Sequence, residues 1–275
     1  MSAQAVPASD ASEVSLKRPP SFGGVNITVL GLEIRRLLRN RRTVIFALII
    51  PAVFFLLFGL NKAYAHQSAG PGSHGNVSAF IMISMALYGA VLATTSGGAM
   101  VSIERAAGWS RQLRLTPLSP VAYIIIKMLT AMVLGAAAVI AVYVVGKLSG
   151  VPAMQPGYAW LWFVTPLCVW VGSLVFAAFG LFLGYLLPTE NVMQFLGIGL
   201  MLFAFAGGLF IPLKTYPHVL QVLAKYTPLY GLNELVHAPL LGGNVHMAWV
   251  ANAVAWLVIF SAGAVWRFRK DTARV

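Results

Sequence analysis

The chain has 275 residues, of which 59% are hydrophobic and only 9% charged; soluble domains are roughly 45–50% apolar and about 25% charged, so a water-soluble fold of this size is excluded. The net charge of +12 does not point to nucleic acid, because the basic residues sit at the ends of apolar runs and form no single patch. With one cysteine, Cys168, the chain can form neither an intrachain disulfide nor a cysteine zinc site.

The first 23 residues are rich in Ser, Ala and Pro and lack an apolar h-region, so they read as a disordered cytoplasmic tail and not as a cleavable signal peptide. In Val25–Arg42, Ile27, Leu30, Ile34, Leu37 and Leu38 recur at helical spacing, with Arg35, Arg36 and Arg39 on the opposite face. That pattern predicts an amphipathic helix lying in the headgroup layer. Six apolar stretches follow, at Val44–Leu60, Val77–Val101, Val121–Gly146, Ala159–Leu187, Val192–Leu213 and Met247–Trp266. A helical span needs about 20 such residues. The expected fold is therefore all-α and polytopic, with six transmembrane helices over residues 24–275. Pro51 and Pro166 should kink their spans. Gly97-Gly98 and Gly207-Gly208 should allow close helix approach or bending.

The loop after the second span runs from Ser102 to Pro120. Ser102–Leu115 is expected to be helical and Thr116 is forced out of helix by Pro117. Ser119 should cap the third span with Pro120 at its first turn. Between spans five and six, Ile211–Leu241 is cut by Pro212, Pro217, Pro228 and Pro239. It should form two short external helices, one between Pro217 and Pro228 and one over Leu229–His237. Fifteen basic residues fall on one face of this layout, in the N-terminal segment, the Ser102–Pro120 loop with Lys127, and the C-terminal tail. Only Lys62, Lys147, Lys214 and Lys225 fall on the other. The bias puts both termini in the cytoplasm and all five histidines outside, where no two have evident metal-ligand spacing.

Catalytic motifs are missing. No G-x-S-x-G, H-E-x-x-H or C-x-x-C occurs. A Walker A pattern ending at Gly146-Lys147 would need glycine where Ala141 stands. The acidic residues Asp10, Glu13, Glu33, Glu104, Glu190, Glu234 and Asp271 all fall outside the middle of the spans, so no internal proton relay is evident. The energy for any transport should then come from a partner chain. Two other readings stay open: an ion-gradient transporter, and a membrane-embedded lipid-modifying enzyme using Glu234 and His237.

The run E-R-A-A-G-W-S-R-Q-L-R-L-T-P-L-S-P with Lys127 resembles the cytoplasmic loop of type-2 ABC exporter permeases, through Glu104, Arg105, Gly108, Leu113, Thr116, Pro117, Leu118, Ser119 and Lys127. Gly208-Leu209-Phe210-Ile211-Pro212, Pro217, Leu220, Pro228-Leu229 and Asn191 are similar to the family's segment around span five. Trp109-Ser110-Arg111 departs from the commoner family stretch and is similar to the daunorubicin-resistance-type drug efflux permeases. The resemblance implies a non-enzymatic subunit in a bacterial plasma membrane, exporting a hydrophobic or amphipathic drug, antibiotic or lipid-like compound. It implies a second permease chain, identical or paralogous, and a cytosolic ABC ATPase that holds the ATP and Mg. This chain itself would bind no cofactor and no metal. Coupling to the ATPase would run through Glu104, Arg105, Gly108, Arg111 and Arg114. The substrate path would be lined by Phe80, Met85, Tyr88, Met201, Phe203 and Phe205 at the permease–permease interface.

Overall fold

In hydrocarbon a backbone must satisfy its own hydrogen bonds, so long apolar segments become helices. A computed structural model describes residues 27–108, 119–150, 154–155 and 157–273. Its elements are α1 (Ile27–Arg39), α2 (Arg41–Gly59), α3 (Lys62–His66), α4 (Val77–Ala99), α5 (Val101–Ala106), α6 (Pro120–Leu148), α7 (Leu161–Gly172), α8 (Leu174–Leu186), α9 (Thr189–Ala206), α10 (His218–Ala224), α11 (Pro228–His237) and α12 (Met247–Ala273). Five helical stretches are long and apolar enough to cross a membrane, and α1 with α2 forms a sixth candidate bent by 66°. The described residues contain no named strand. The protein is an all-α, multi-pass membrane protein. The expected tail over 1–23 lies outside the described residues.

The bend between α1 and α2 falls at Asn40. Its side chain accepts from Thr43 N at 3.4 Å, and its own N–H reaches Leu37 O at 3.1 Å. One residue thus closes α1 and caps α2. α1 packs on α6. Leu37 is buried, Leu30, Glu33 and Ile34 are half-buried, and Leu38, expected on the apolar face, is exposed. The buried stripe is therefore narrower than periodicity suggested and carries an acid.

α4 occupies the centre and touches α2, α6, α7, α8, α9 and α11. Its buried surface is mostly small: Ser78, Ala79, Ala86, Gly89, Ala90, Ala93, Thr94, Thr95, Gly97, Gly98 and Ala99. Small side chains let helix backbones meet. A methyl group on Gly98 would lie 2.6 Å from Ala177 O, and one on Gly184 would lie 3.1 Å from Ala99 O. One on Gly180 would strike the Thr95 carbonyl. Across the other face, Gly89 receives the ring of Pro51 from α2.

Several expectations are corrected. The fourth span, expected as one run, has a one-residue break at Ser173, between α7 and α8; Pro166 lies inside α7. The Ser173 hydroxyl bonds Trp170 O at 2.6 Å, and Thr94 Oγ1 bonds Ser173 O at 3.2 Å, so side chains compete for helix carbonyls there. Span five stops at Ala206 and does not reach Leu213. Gly207 N bonds Phe203 O, Leu209 N bonds Ala204 O, and Gly208 takes φ +75°, so the glycine pair ends the helix, while Gly207 also allows the close approach expected of it, since a methyl group there would lie 2.9 Å from Leu229 Cβ on α11. The helix expected over Ser102–Leu115 ends at Ala106 in the described part, where Gly108 again takes φ +75°. Residues 109–118 lie outside the described residues. Ser119 and Pro120 behave as expected, with Ser119 Oγ accepting from Ala122 N at 3.1 Å. The two external helices also form, as α10 and α11.

The α4–α8 contact generates a prediction. Gly180→Leu should lower stability by at least the ~1–3 kcal/mol typical of overpacking, because backbone and not side chain must yield. Thermal unfolding in detergent should show a lower midpoint, whereas Gly197→Leu, where a Cβ would meet nothing within 4 Å, should leave it unchanged.

Candidate functional site

Glu104 lies on α5 and is buried. Its Oε1 receives Lys127 Nζ at 2.6 Å and Arg36 NH1 at 3.1 Å, and its Oε2 receives the Tyr123 hydroxyl at 2.6 Å. Lys127, also buried, donates to Glu33 Oε2 at 2.6 Å. Glu33 and Arg36 sit one turn apart on α1, and Tyr123 and Lys127 one turn apart on α6. Each helix thus presents two adjacent groups to the same carboxylate region. Two carboxylates meet two cations, so the formal charge cancels. Burial of such a set is tolerable only because each charge has a partner and further hydrogen bonds. A small void of about 30 Å³, about one water in size, adjoins the cluster beside Gly97, Met100 and Thr130.

Arg105 faces the other way. Its guanidinium donates to Gly184 O at 3.0 Å and Tyr185 O at 2.9 Å, and stands over the Tyr185 ring. These carbonyls belong to the last turn of α8, where a cation offsets the helix dipole and supplies the missing donors. Thr189 Oγ1 reaches Ser102 O at 2.9 Å, so the start of α9 is tied to the same short helix.

The residues expected to couple to a partner therefore separate. Glu104 is turned inward, Arg105 caps α8, and Gly108 ends the helix in a left-handed turn. Arg111 and Arg114 lie outside the described residues. Sequence reasoning did not place Glu33, Arg36 or Tyr123 in the cluster. The available signal was Glu33, an acid within an otherwise basic amphipathic helix.

The second concave region lies at the opposite end of the bundle. A cavity of about 430 Å³ opens between α2, α3, α4 and the turn after α9. Phe54, Phe58, Tyr64, Phe80, Ile81, Ser84, Met85, Leu209 and Phe210 line it. Of the expected path residues, Phe80 and Met85 line it directly. Tyr88 stacks against Phe54 at 6.5 Å and meets Phe210 at 5.3 Å. Phe205 touches Phe210 edge-on at 5.4 Å. Phe203 turns instead into Phe176 and Phe179, and Met201 is exposed on α9. Phe54, Phe58, Tyr64 and Phe210 were missed, because only tertiary packing brings the first span and the post-α9 turn to this wall.

His237, on α11 outside the spanning helices, backs the cavity. It is only 2% exposed. Nδ1 bonds Asn233 O at 2.8 Å, and since a carbonyl only accepts, Nδ1 carries hydrogen. Nε2 lies 3.1 Å from Ser84 Oγ and 3.2 Å from Phe80 O, and the ring stacks on Phe80 with centroids 4.1 Å apart. Burial holds the imidazole below its ordinary histidine value. Both ring nitrogens are engaged and the face is covered, so a catalytic pairing of His237 with Glu234 finds no geometry here.

The span layout and the buried charge cluster define a multi-pass membrane protein. The sequence model described as ABC-2 type transporter matches residues 26–241, and the chain belongs to that family. A Bacillus subtilis (strain 168) protein named "Putative transport permease YvfS" is 25% identical over 245 residues, covering 88% of this chain and 96% of the relative.

Two outcomes are expected. Glu104→Gln and Lys127→Met should each destabilise the fold by about 3–5 kcal/mol, the usual result of orphaning a buried charge. The double variant leaves Glu33 and Arg36 to balance one another, so it should cost clearly less than the sum in a thermal double-mutant cycle. Second, a histidine whose folded value is depressed binds fewer protons folded than unfolded, so stability must fall as pH drops through and below its unfolded value of about 6.5. The fall in unfolding midpoint between pH 7.5 and pH 5 should be smaller in His237→Gln than in the parent.

Proposed function

We propose that this permease is the membrane half of an ATP-driven exporter, in which a separate cytosolic ATPase moves the bundle by engaging the segment after α5. Family membership supports the ATPase partner. The observation that carries the coupling reading is the Glu104 cluster, because one short helix there grips α1, α6 and α8 at once. Glu104 and Arg105 serve as positioning residues that set the exit of the loop. Arg111 and Arg114 are the groups offered to the ATPase.

The charge asymmetry supports a plasma-membrane protein with both termini cytoplasmic. The cavity then faces outward. Its aromatic and methionine lining, with the Tyr64 hydroxyl as its polar group while Ser84 is held by His237 and Phe80 O, suits an uncharged or amphipathic apolar compound, whether drug, antibiotic or lipid-like. Two copies, or this chain and a paralogue, complete the path.

Co-expression with its ATPase and assay in inverted vesicles tests the proposal. ATP should drive uptake of an apolar fluorescent substrate, and a protonophore should not abolish it. Arg111→Glu with Arg114→Glu should reduce ATPase co-purification at least tenfold while leaving the permease folded. Uptake that needs no ATP and collapses with the protonophore would instead assign the machine to an ion gradient.

A further inference from the structure

A second cavity, of about 470 Å³, lies between α6 and α7, away from the cavity at α2 and α4. Ile140, Val144 and Lys147 form one wall, and Trp162, Phe163 and Pro166 the other. Its volume falls in the roughly 300–1,000 Å³ range of ligand sites. Seven residues separate Ile140 from Lys147, so the groove runs about 10 Å along the helix axis. Both walls are spanning helices, and Ile140, Val144 and Phe163 are exposed, so the groove opens sideways into hydrocarbon.

The polar features gather at one end. Lys147, in the last turn of α6, is exposed and has no carboxylate within ion-pair distance among the described residues. Trp162 lines the groove with Lys147, and Trp160 is exposed just before α7; indoles favour the headgroup boundary. Deeper in, the Tyr143 hydroxyl is already spent on Thr165 Oγ1 at 2.7 Å, so it offers a ligand only its ring. One cation therefore stands over an otherwise apolar trough. A molecule complementary to both parts has a long hydrocarbon chain and an anionic head.

We propose that this groove binds one anionic phospholipid, its acyl chain along Ile140, Val144 and Phe163 and its phosphate on Lys147. The proposal needs only the membrane-spanning reading and does not depend on the transport cycle.

Native mass spectrometry of the full chain, loaded with phosphatidylglycerol or phosphatidylcholine of equal chain length, tests it. The parent should retain one phosphatidylglycerol per chain in preference to phosphatidylcholine by about fivefold, the factor that one lysine near an anionic surface supplies. Lys147→Gln should abolish the preference, and Val144→Trp, which fills the groove, should reduce retention of both lipids. Equal retention of the two lipids by the parent, or an unchanged preference in Lys147→Gln, overturns the proposal. So does a change of oligomeric state in Val144→Trp by light scattering, since a second copy would then cover the groove. Should Val144→Trp fail to fold, Lys147→Gln decides alone, because it removes an exposed cation that no acid accompanies.

Discussion

Backbone-to-backbone contact at α4 is the constraint from which the bundle follows. Among lipid tails, helices gain little by hiding apolar surface from their surroundings and must instead gain dispersion contacts and polar bonds from one another. α4 offers a surface of Gly, Ala, Ser and Thr to its neighbours, and α8 answers with Ala177, Gly180 and Gly184. The backbones approach until carbonyl oxygens occupy the space where a Cβ would stand. Hydroxyls of Thr94, Thr95 and Ser102 find carbonyls within reach and leave no demand for water. Once α4 and α8 are locked, α6 and α2 have fixed grooves to fill on the remaining faces.

Polar groups then decide how the ends are closed. At one end the charges cancel in a set drawn from three helices. At the other, His74 N reaches Leu240 O at 2.7 Å and Gln155 N reaches His74 O at 2.9 Å, and no formal charge is involved. The α1 end is thus held by Coulombic pairing across half-buried helices, and the opposite end by neutral backbone bonds and stacked rings such as His74 on Tyr158. Pairing of the first kind is steep in geometry and costly to half-break.

Much of this architecture was legible from residues. Apolar runs of span length announce themselves without periodicity, and the Ser119–Pro120 start and the proline-bounded helices α10 and α11 rest on local rules. Glycine meaning was less legible: Gly208 ends a helix in a left-handed turn and Gly207 both ends it and meets Leu229, whereas Gly98 and Gly180 only pack one, and the pairs look the same until a partner backbone is present. The break at Ser173, where a hydroxyl from α4 intrudes, had no local signal of its own. Glu104 stood out as a loop acid, but its inward orientation depends on Lys127 and on Arg36, 68 residues earlier. No local pattern encodes that meeting. Arg105 beside it was grouped with it only as a coupling residue, but adjacent helical residues point about 100° apart, and so the two serve different neighbours.

α5 adds only six residues to the end of α4 past Met100, and would not persist if cut from it, since an isolated helix of that length does not repay its nucleation. Its direction is held by α4 behind it and by anchors on either flank, a carboxylate toward α1 and α6 and a guanidinium toward α8. A displacement arriving from the segment beyond Gly108 would therefore have no private element to deform. It would be split at once into two lateral loads, one tilting the N-terminal helix and the other turning the end of the fourth crossing, so that opposite flanks of the bundle would feel a single stroke together.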